Sequence, residues 1–546
     1  MSSSRVERHL DRTTLAVCAL AGLALVVRLV GLGDRPLHWD EARVGYWSLR
    51  YLETGYFSYR PIAGGPLVYI LSRWSLALFG PTDFALRLPV AVFGGVLPLA
   101  ALLFRGRLRD SETVAFAAIL AASPLLVYYG RFARGDVFAI GFTLVALGFA
   151  LRLVDGAGRE NAYGLAAAVA LAIGSSGLGV VALVCLGIAA LLVADHAALV
   201  SSVRPIAMQL GTLSARLEDA VTPAARSVLV FAACYIFMFA PRAGETDAAG
   251  IDSPGTILTA IDVAIFESVR RFVGVRIVHR GPDGTHELLP YLADTVGLVA
   301  LAALPILVLA AGTFLIDRYT AGGPREIVSI GTYWVGASVV FVPMFTEVSA
   351  PWLGVYLVVP LAIPAAVGLA ALVRWGRTAI ETQDVSRSAL ALLLAVALVA
   401  QAGAVTASDV YGSSDRDNQL AHYAQPTDDF ADFRDNFSSW VTPGDGQPDV
   451  LYYGQSMYVS ENSTAFPPVP EAWGERLPLD WYVAREDAES ISATTPTQVR
   501  DLDSVPPVVI APASARGELS PMLDGYAATE YQTALWGRSV VVFVEN

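Results

Sequence analysis

Apolar runs of about 20 residues recur along this chain, and a run of that length calls for a bilayer around it. The first is Leu15–Leu32. Others read as Phe84–Phe104, Thr113–Tyr129, Val137–Leu153, Ser227–Phe239, Tyr291–Ile316, Ile327–Phe345, Trp352–Val373 and Ala389–Ala407. Ala162–Ala194 is also continuous, but as a single helix it would be about 50 Å long against a hydrocarbon core of about 30 Å. Gly174-Ser175-Ser176-Gly177 divides it into two short spans. The total is eleven. Charged residues are 16% of the chain, against about 25% in soluble domains, and mean hydropathy is +0.52. A soluble enzyme is excluded.

All 37 basic residues are arginine. Arg5, Arg8 and Arg12 precede the first run, and the loops that parity places on the same side carry Arg105, Arg107, Arg109, Arg152, Arg159, Arg318, Arg325, Arg374, Arg377 and Arg387. By the positive-inside tendency the N-terminus is cytoplasmic, and eleven spans then leave the C-terminal segment outside. From residue 408 onward 22 Asp and Glu stand against 7 Arg, a net charge of −15. Such a surface repels nucleic acid and keeps itself soluble. Cys18, Cys185 and Cys234 lie singly in apolar runs, with neither a disulfide framework nor metal-ligand spacing.

The expected fold is a polytopic α-helical membrane protein (residues 1–407) followed by an acidic, extracytoplasmic α/β domain (residues 408–546). Glu41–Thr54, ended by Gly55, and Leu67–Phe79, opened by Pro66 and stopped by Gly80-Pro81, read as outward juxtamembrane helices after span one. Their aromatics, Tyr46, Trp47, Tyr51, Tyr69 and Trp74 among them, suit either the headgroup zone or ordinary packing. In the tail, Val450–Tyr453, Val508–Ala511 and Ser539–Val544 read as strands, and Phe430–Phe437 and Ala484–Ile491 as helices. Asn436-Phe-Ser438 and Asn462-Ser-Thr464 are glycosylation sequons, in keeping with an outside location.

Two polar clusters stand out against this background. Pro36-Leu-His-Trp-Asp-Glu-Ala-Arg43 places adjacent carboxylates, Asp40 and Glu41, at a helix start. Neighbours on a helix point about 100° apart, so one is the reactive group and the other its partner. Asp40 suits a general base, because a first-turn anion stays ionised; it would serve equally as a plain N-cap. His38 and Arg43 are candidate substrate contacts. The second cluster is Tyr128-Tyr-Gly-Arg131-Phe-Ala-Arg134-Gly-Asp136. Two cations in a short outer turn run against the charge bias, and arginine's fork suits a phosphate, whether donor or lipid headgroup. Asp136 would share a divalent metal (Mg or Mn) with Asp40 or anchor an arginine. Phe266–Arg280 is a basic amphipathic stretch whose Arg270, Arg271 and Arg276 read as membrane-surface groups or a second phosphate contact. Glu347 and Pro351-Trp352 mark the last outer turn, where a Pro-Trp pair reads as an interfacial anchor.

Pro36–Tyr46 followed by Gly65-Pro66-Leu67, Leu78-Phe79-Gly80 and Phe84-Ala-Leu-Arg87-Leu-Pro89 resembles the opening of C-type glycosyltransferases, which include polyprenol-phosphate-sugar-dependent protein mannosyltransferases. Ala350-Pro-Trp-Leu353 and Arg476-Leu-Pro-Leu-Asp-Trp-Tyr482 are similar to archaeal flippase-activity-associated membrane proteins of the N-glycosylation pathway. The resemblance implies a catalytic Asp40 with Glu41 and Asp136 as neighbours. It implies a polyprenol-phosphate (dolichol-type) sugar donor and a glycan or protein acceptor at the cell membrane. It equally admits a noncatalytic, flippase-associated or transport role. One departure is the turn Gly174–Gly179, which lacks a basic residue where many relatives hold a lysine, leaving the phosphate to arginines.

An acidic tail without lysine points to a salt-rich milieu. Its stability should rise with added KCl, read by thermal unfolding of the full chain; indifference to salt contradicts that expectation.

Overall fold

The computed structural model describes residues 11–59, 64–194, 206–245, 248–274, 288–320, 323–346, 349–459 and 470–546. Arg5, Arg8, Arg276, Glu347 and the Asn462 sequon lie outside the described residues. The chain forms two compact units. One comprises Met1–Val30, Phe57–Val68 and Val90–Val410; the other comprises Gly31–Tyr56, Tyr69–Pro89 and Tyr411–Asn546. The second unit thus joins the tail to two stretches that the sequence reading assigns to the membrane domain.

Among the described residues, eight helices are long and apolar enough to cross a membrane: Arg12–Leu29, Asp83–Phe104, Asp136–Val154, Val221–Phe239, Pro290–Tyr319, Glu326–Met344, Pro351–Glu381 and Val385–Val410. Pro66–Phe79, Asn161–Ser175 and Gly177–Val193 are shorter apolar helices. Labels are used here for α1 (Arg12–Leu29), α2 (Trp39–Thr54), α3 (Pro66–Phe79), α4 (Asp83–Val96), α5 (Asp110–Ala122), α6 (Pro124–Tyr129), α7 (Asp136–Val154), α8 (Asn161–Ser175) and α9 (Gly177–Val193). Each expected span has its helix. The third arrives in two pieces, α5 and α6, because Pro124 lacks the N–H that would continue the ladder.

That break explains Arg28, which the sequence places near a span end and which is fully buried in α1. Its guanidinium donates to the carbonyls of Ala121 (3.2 Å), Leu120 (3.4 Å) and Leu126 (3.2 Å), the groups around the interruption. A buried carbonyl without a donor is costly, and one arginine serves three.

In the second unit α2 ends where Gly55 takes a left-handed φ of 69°, a conformation open to glycine. The juxtamembrane aromatics pack inward: Tyr46, Trp47, Tyr51 and Tyr69 are all buried, while Trp74 is exposed. Tyr46 meets Trp473 at 5.0 Å between ring centroids. The packing alternative therefore holds over the headgroup reading for all of these but Trp74.

The tail carries a five-stranded sheet in the order β2-β1-β3-β5-β4, with β1 Val450–Tyr453, β2 Ser490–Ala493, β3 Val508–Pro512, β4 Tyr526–Ala534 and β5 Arg538–Glu545. β1 runs parallel to β2 and β3, while β5 is antiparallel to β3 and β4. The central strands are buried throughout and read as unbroken apolar runs. Leu451, Val509, Val541 and Phe543 build one face with Val499, Leu519 and Leu523. The helix expected at Phe430–Phe437 spans Phe430–Trp440. The helix expected at Ala484–Ile491 is corrected: a helix covers Leu479–Arg485, and Ser490 already opens β2.

Gly45 of α2 lies against the tail, where an added Cβ would stand 2.7 Å from Trp481 and 2.9 Å from Leu86. Gly45→Ala should cost about 1–3 kcal/mol through overpacking. Gly517→Ala, which meets nothing within 4 Å, should be near neutral, both read by thermal unfolding in detergent.

Candidate functional site

The start of α2 is built by side chains rather than by a simple cap. His38, not Asp40, is the N-cap: its Nδ1 accepts from the Asp40 N–H at 3.0 Å, and Glu41 accepts in turn from the His38 N–H at 3.1 Å. This reciprocal box satisfies two backbone donors at the helix start. It corrects the N-cap alternative for Asp40, which lies in the first turn and is 7% exposed.

Glu41 is fully buried. Arg87 of α4 donates Nε to Oε1 and Nη2 to Oε2, both at 2.8 Å, and Arg35 reaches Oε2 at 3.1 Å. The same Arg87 guanidinium bonds the carbonyls of Leu32 (3.0 Å), Arg35 (2.8 Å) and Pro36 (3.3 Å). Paired forks of this kind are strong and directional. Arg43, one turn on, stacks over Trp39 at 4.4 Å and faces Trp473 at 5.6 Å. Burial lowers its guanidinium pKa from the usual arginine range, while the nearby Tyr69 and Asp40 oppose that shift.

The tail grips this segment. Trp39 Nε1 donates to the Gly474 carbonyl at 2.7 Å, Gln425 donates to the Pro36 carbonyl at 2.9 Å, and the Leu37 N–H donates to the Tyr482 hydroxyl at 3.1 Å. Trp481 and Tyr482 both donate to Asp83, at 2.8 and 3.2 Å. Burial, followed by the Asp83 charge, pushes the Tyr482 phenol well above its ordinary range, so its proton stays in place as a donor. The motif Arg476–Tyr482 is therefore what the juxtamembrane segment rests on.

In the other unit Asp136 opens α7 and is 2% exposed. Tyr356 donates to its Oδ1 at 3.0 Å, Ser176 makes a longer contact with the same oxygen at 3.4 Å, and Arg134 Nε donates to Oδ2 at 3.0 Å. Arg134 lies 4.0 Å over the Trp352 ring. Trp352 is 6% exposed and also meets Phe132 and Tyr129; it backs the arginine and is not an interfacial anchor. Arg131 is also buried. Three glycine turns close on this place. The Gly65 N–H donates to the Ser175 carbonyl at 2.6 Å, and a Cβ on Gly135 would stand 1.7 Å from that same oxygen. The turn at 174–177 thus contributes backbone contact and a serine in place of a cation.

Arg270 pairs with Glu267 at 2.9 Å on an exposed surface. Arg271 bonds Glu267 at 3.0 Å and the Tyr59 carbonyl at 2.8 Å. So Asp40, Glu41, His38 and Arg43 belong to one unit and Arg131, Arg134 and Asp136 to the other, while Arg270 and Arg271 have Glu267 as their carboxylate partner. Among the described residues no group of three or more His, Cys, Asp or Glu gathers as a metal site. Sequence reasoning missed Tyr356, Ser176, Arg87 as the partner of Glu41, and His422; the first two sit in apolar runs that read as plain span.

The architecture is a polytopic helical one with a small C-terminal sheet domain. It is similar to ArnT from Cupriavidus metallidurans in the apo state, with 16% identity over 97% of this chain and 98% of that one, at a TM-score of 0.59. The same enzyme bound to undecaprenyl phosphate gives 18% identity, 96% and 97% coverage and a TM-score of 0.54. The Archaeoglobus fulgidus oligosaccharyltransferase in the apo form gives 13%, 96% and 75% coverage and 0.52. At such identities the likeness speaks for the fold alone. No curated protein sequence matches the chain. Residues 61–217 match the dolichyl-phosphate-mannose-protein mannosyltransferase family, and residues 432–545 match the Agl23 flippase-associated protein C-terminal domain. Residues 61–217 are thus similar to that mannosyltransferase family and residues 432–545 to that flippase-associated domain, within a chain that folds as a polytopic membrane protein.

Removing one partner of the Glu41–Arg87 pair strands a buried charge. Glu41→Gln or Arg87→Met should each cost about 3–5 kcal/mol, while Glu41→Met with Arg87→Met should cost less than their sum in a thermal double-mutant cycle.

Proposed function

We propose that the protein is a membrane glycosyltransferase that moves a sugar from a polyprenol-phosphate donor to a lipid- or protein-linked acceptor on the outer face. In this reading the N-terminus is cytoplasmic and the acidic tail extracellular. The observation that carries it is Asp40, set in the first turn of α2 by the His38–Glu41 box and the buried Glu41–Arg87 pair. These contacts fix the backbone that carries the Asp40 carboxylate.

The chemistry is an inverting displacement. The acceptor hydroxyl oxygen attacks the anomeric carbon and loses its proton to Asp40. The bond from that carbon to the phosphate oxygen breaks, and the polyprenyl phosphate leaves with the electron pair. A phosphate is a good enough leaving group that no second acid is required, unlike in glycoside hydrolysis. Its negative charge calls for cations, the role the sequence reading gives to Arg131 and Arg134; within its own unit Arg134 is bonded to Asp136 and lies over the Trp352 ring. Glu41 is the positioning partner, because its two oxygens are taken by arginines. His38 belongs to the frame around Asp40 and not to an acceptor contact, since both its ring nitrogens are engaged; Arg43 is the acceptor contact in this reading, and Arg270 and Arg271 meet lipid headgroups.

A divalent metal shared by Asp40 and Asp136 fits poorly. Both Asp136 oxygens already accept hydrogen bonds, and a cation beside Arg134 would meet like charge. No step is routed through one.

The second reading, a noncatalytic role in handling lipid-linked glycans, is favoured by the flippase-associated match over residues 432–545. A transport path needs ionisable groups within spans. Arg28 is such a group, but it is occupied by the backbone of the α5–α6 break.

Asp40→Asn should lower sugar transfer from labelled polyprenol phosphate in membrane vesicles by about 10²–10⁴-fold, the usual contribution of a general base. Unchanged transfer refutes the enzyme reading, and lost lipid translocation with transfer intact establishes the second.

A further inference from the structure

We propose that His422, in the tail, is a positioning residue for Asp40, acting by fixing the tautomer of His38. The inference rests on the reading of Asp40 as the base. Its warrant is a chain of hydrogen bonds whose directions follow from backbone donors, which carry their protons unconditionally.

The Asp40 N–H donates to His38 Nδ1 at 3.0 Å, so that nitrogen holds a lone pair. The ring proton of His38 is then on Nε2. Nε2 lies 3.1 Å from His422 Nδ1 and must be the donor there. His422 Nδ1 also receives the Ala424 N–H at 3.3 Å, which agrees with its acceptor role. The two rings, 1% and 7% exposed, are buried together with centroids 5.2 Å apart. The same tail segment bonds the loop before α2 from both sides of the pair, through the Ala424 carbonyl to the Trp39 N–H at 3.4 Å and through Gln425 to the Pro36 carbonyl.

With the proton on Nδ1 instead, His38 would present a donor to the donor at Asp40 N–H, and the cap would be lost. His422 supplies the acceptor that excludes this tautomer. The tail thereby fixes the first turn of α2 and with it the direction of the Asp40 carboxylate. A partner on the far nitrogen of a histidine usually acts in this way, by selecting its tautomer and ring orientation.

The test uses the full chain in nanodiscs. His422→Phe removes the acceptor at similar bulk. His422→Asn keeps an acceptor at the place of Nδ1. Transfer from labelled polyprenol-phosphate sugar should show kcat about 10- to 100-fold lower for His422→Phe with KM within about twofold, the pattern of a misaimed group. His422→Asn should recover kcat to within about threefold of the parent. Hydrogen exchange of residues 38–44 should quicken in the first variant and return to the parent rate in the second. Unchanged exchange in His422→Phe, or failure of Asn to restore either quantity, overturns the proposal. If His422→Phe does not fold, the pair of parent and His422→Asn decides by the same exchange measurement. Should exchange respond as expected while Asp40→Asn transfers normally, the hold of His422 on α2 stands and the base assignment falls.

Discussion

The ion pair between Glu41 and Arg87 is the contact on which the polar half of this structure depends. Taking a carboxylate and a guanidinium out of water costs several kcal/mol per ion unless each is fully paired. Here the fork is complete, and the remaining donors of Arg87 take the carbonyls of Leu32, Arg35 and Pro36. One side chain of α4 therefore fixes both the loop leaving the first span and the start of α2. Glu41 then accepts the His38 N–H, and His38 accepts the Asp40 N–H. The place of the Asp40 backbone in the first turn follows from that sequence of contacts.

The tail belongs to the same construction. Trp481 and Tyr482 hold Asp83, four residues before Arg87 and on the same helix. Tyr482 also takes the Leu37 N–H. The residues that make the flippase-associated motif distinctive are buried at this contact, so a glycan or partner protein would have to use other surfaces of the domain. The sheet sets the motif in place: Arg476 bonds the Met457 carbonyl just beyond β1 and the Ser492 hydroxyl on β2.

Much of the fold was legible because it depends on local rules. Span lengths follow from apolar runs, Gly55 and Gly80 stop helices at positive φ, and Val450–Tyr453 and Val508–Ala511 are apolar enough to be central strands. The edge strands were not legible: Ser490–Ala493 and Tyr526–Ala534 are only partly buried and carry polar residues that read as loop or helix. In the site, helical geometry correctly separated Asp40 from Glu41, since neighbours cannot share a face. It could not name Arg87, which lies 46 positions away. Tyr356 and Ser176 were hidden for another reason: a single hydroxyl in an apolar run has no pattern, and its meaning depends on a carboxylate brought up by a different helix. Trp352 was misjudged because proximity to a span end was taken as exposure, whereas it is buried against Tyr129, Phe132 and Arg134.

The absence of lysine has a structural side. Arg28, Arg87, Arg242, Arg476 and Arg538 all donate to backbone carbonyls from buried or half-buried positions. A guanidinium offers five donors in a plane and tolerates desolvation better than an ammonium. It can bridge several carbonyls at a helix break, as Arg28 does, where the three donors of a lysine radiate from one point. The same property bears on the missing lysine of the 174–177 turn. On the facing loops an added Cβ at Gly65 would strike the Gly174 carbonyl and one at Gly135 the Ser175 carbonyl, so those two positions admit glycine alone against this turn. The loop opposite the turn carries Arg134, whose Nε is anchored to the Asp136 carboxylate and whose face is backed by the Trp352 indole, so the cation at this place is a guanidinium held from two sides.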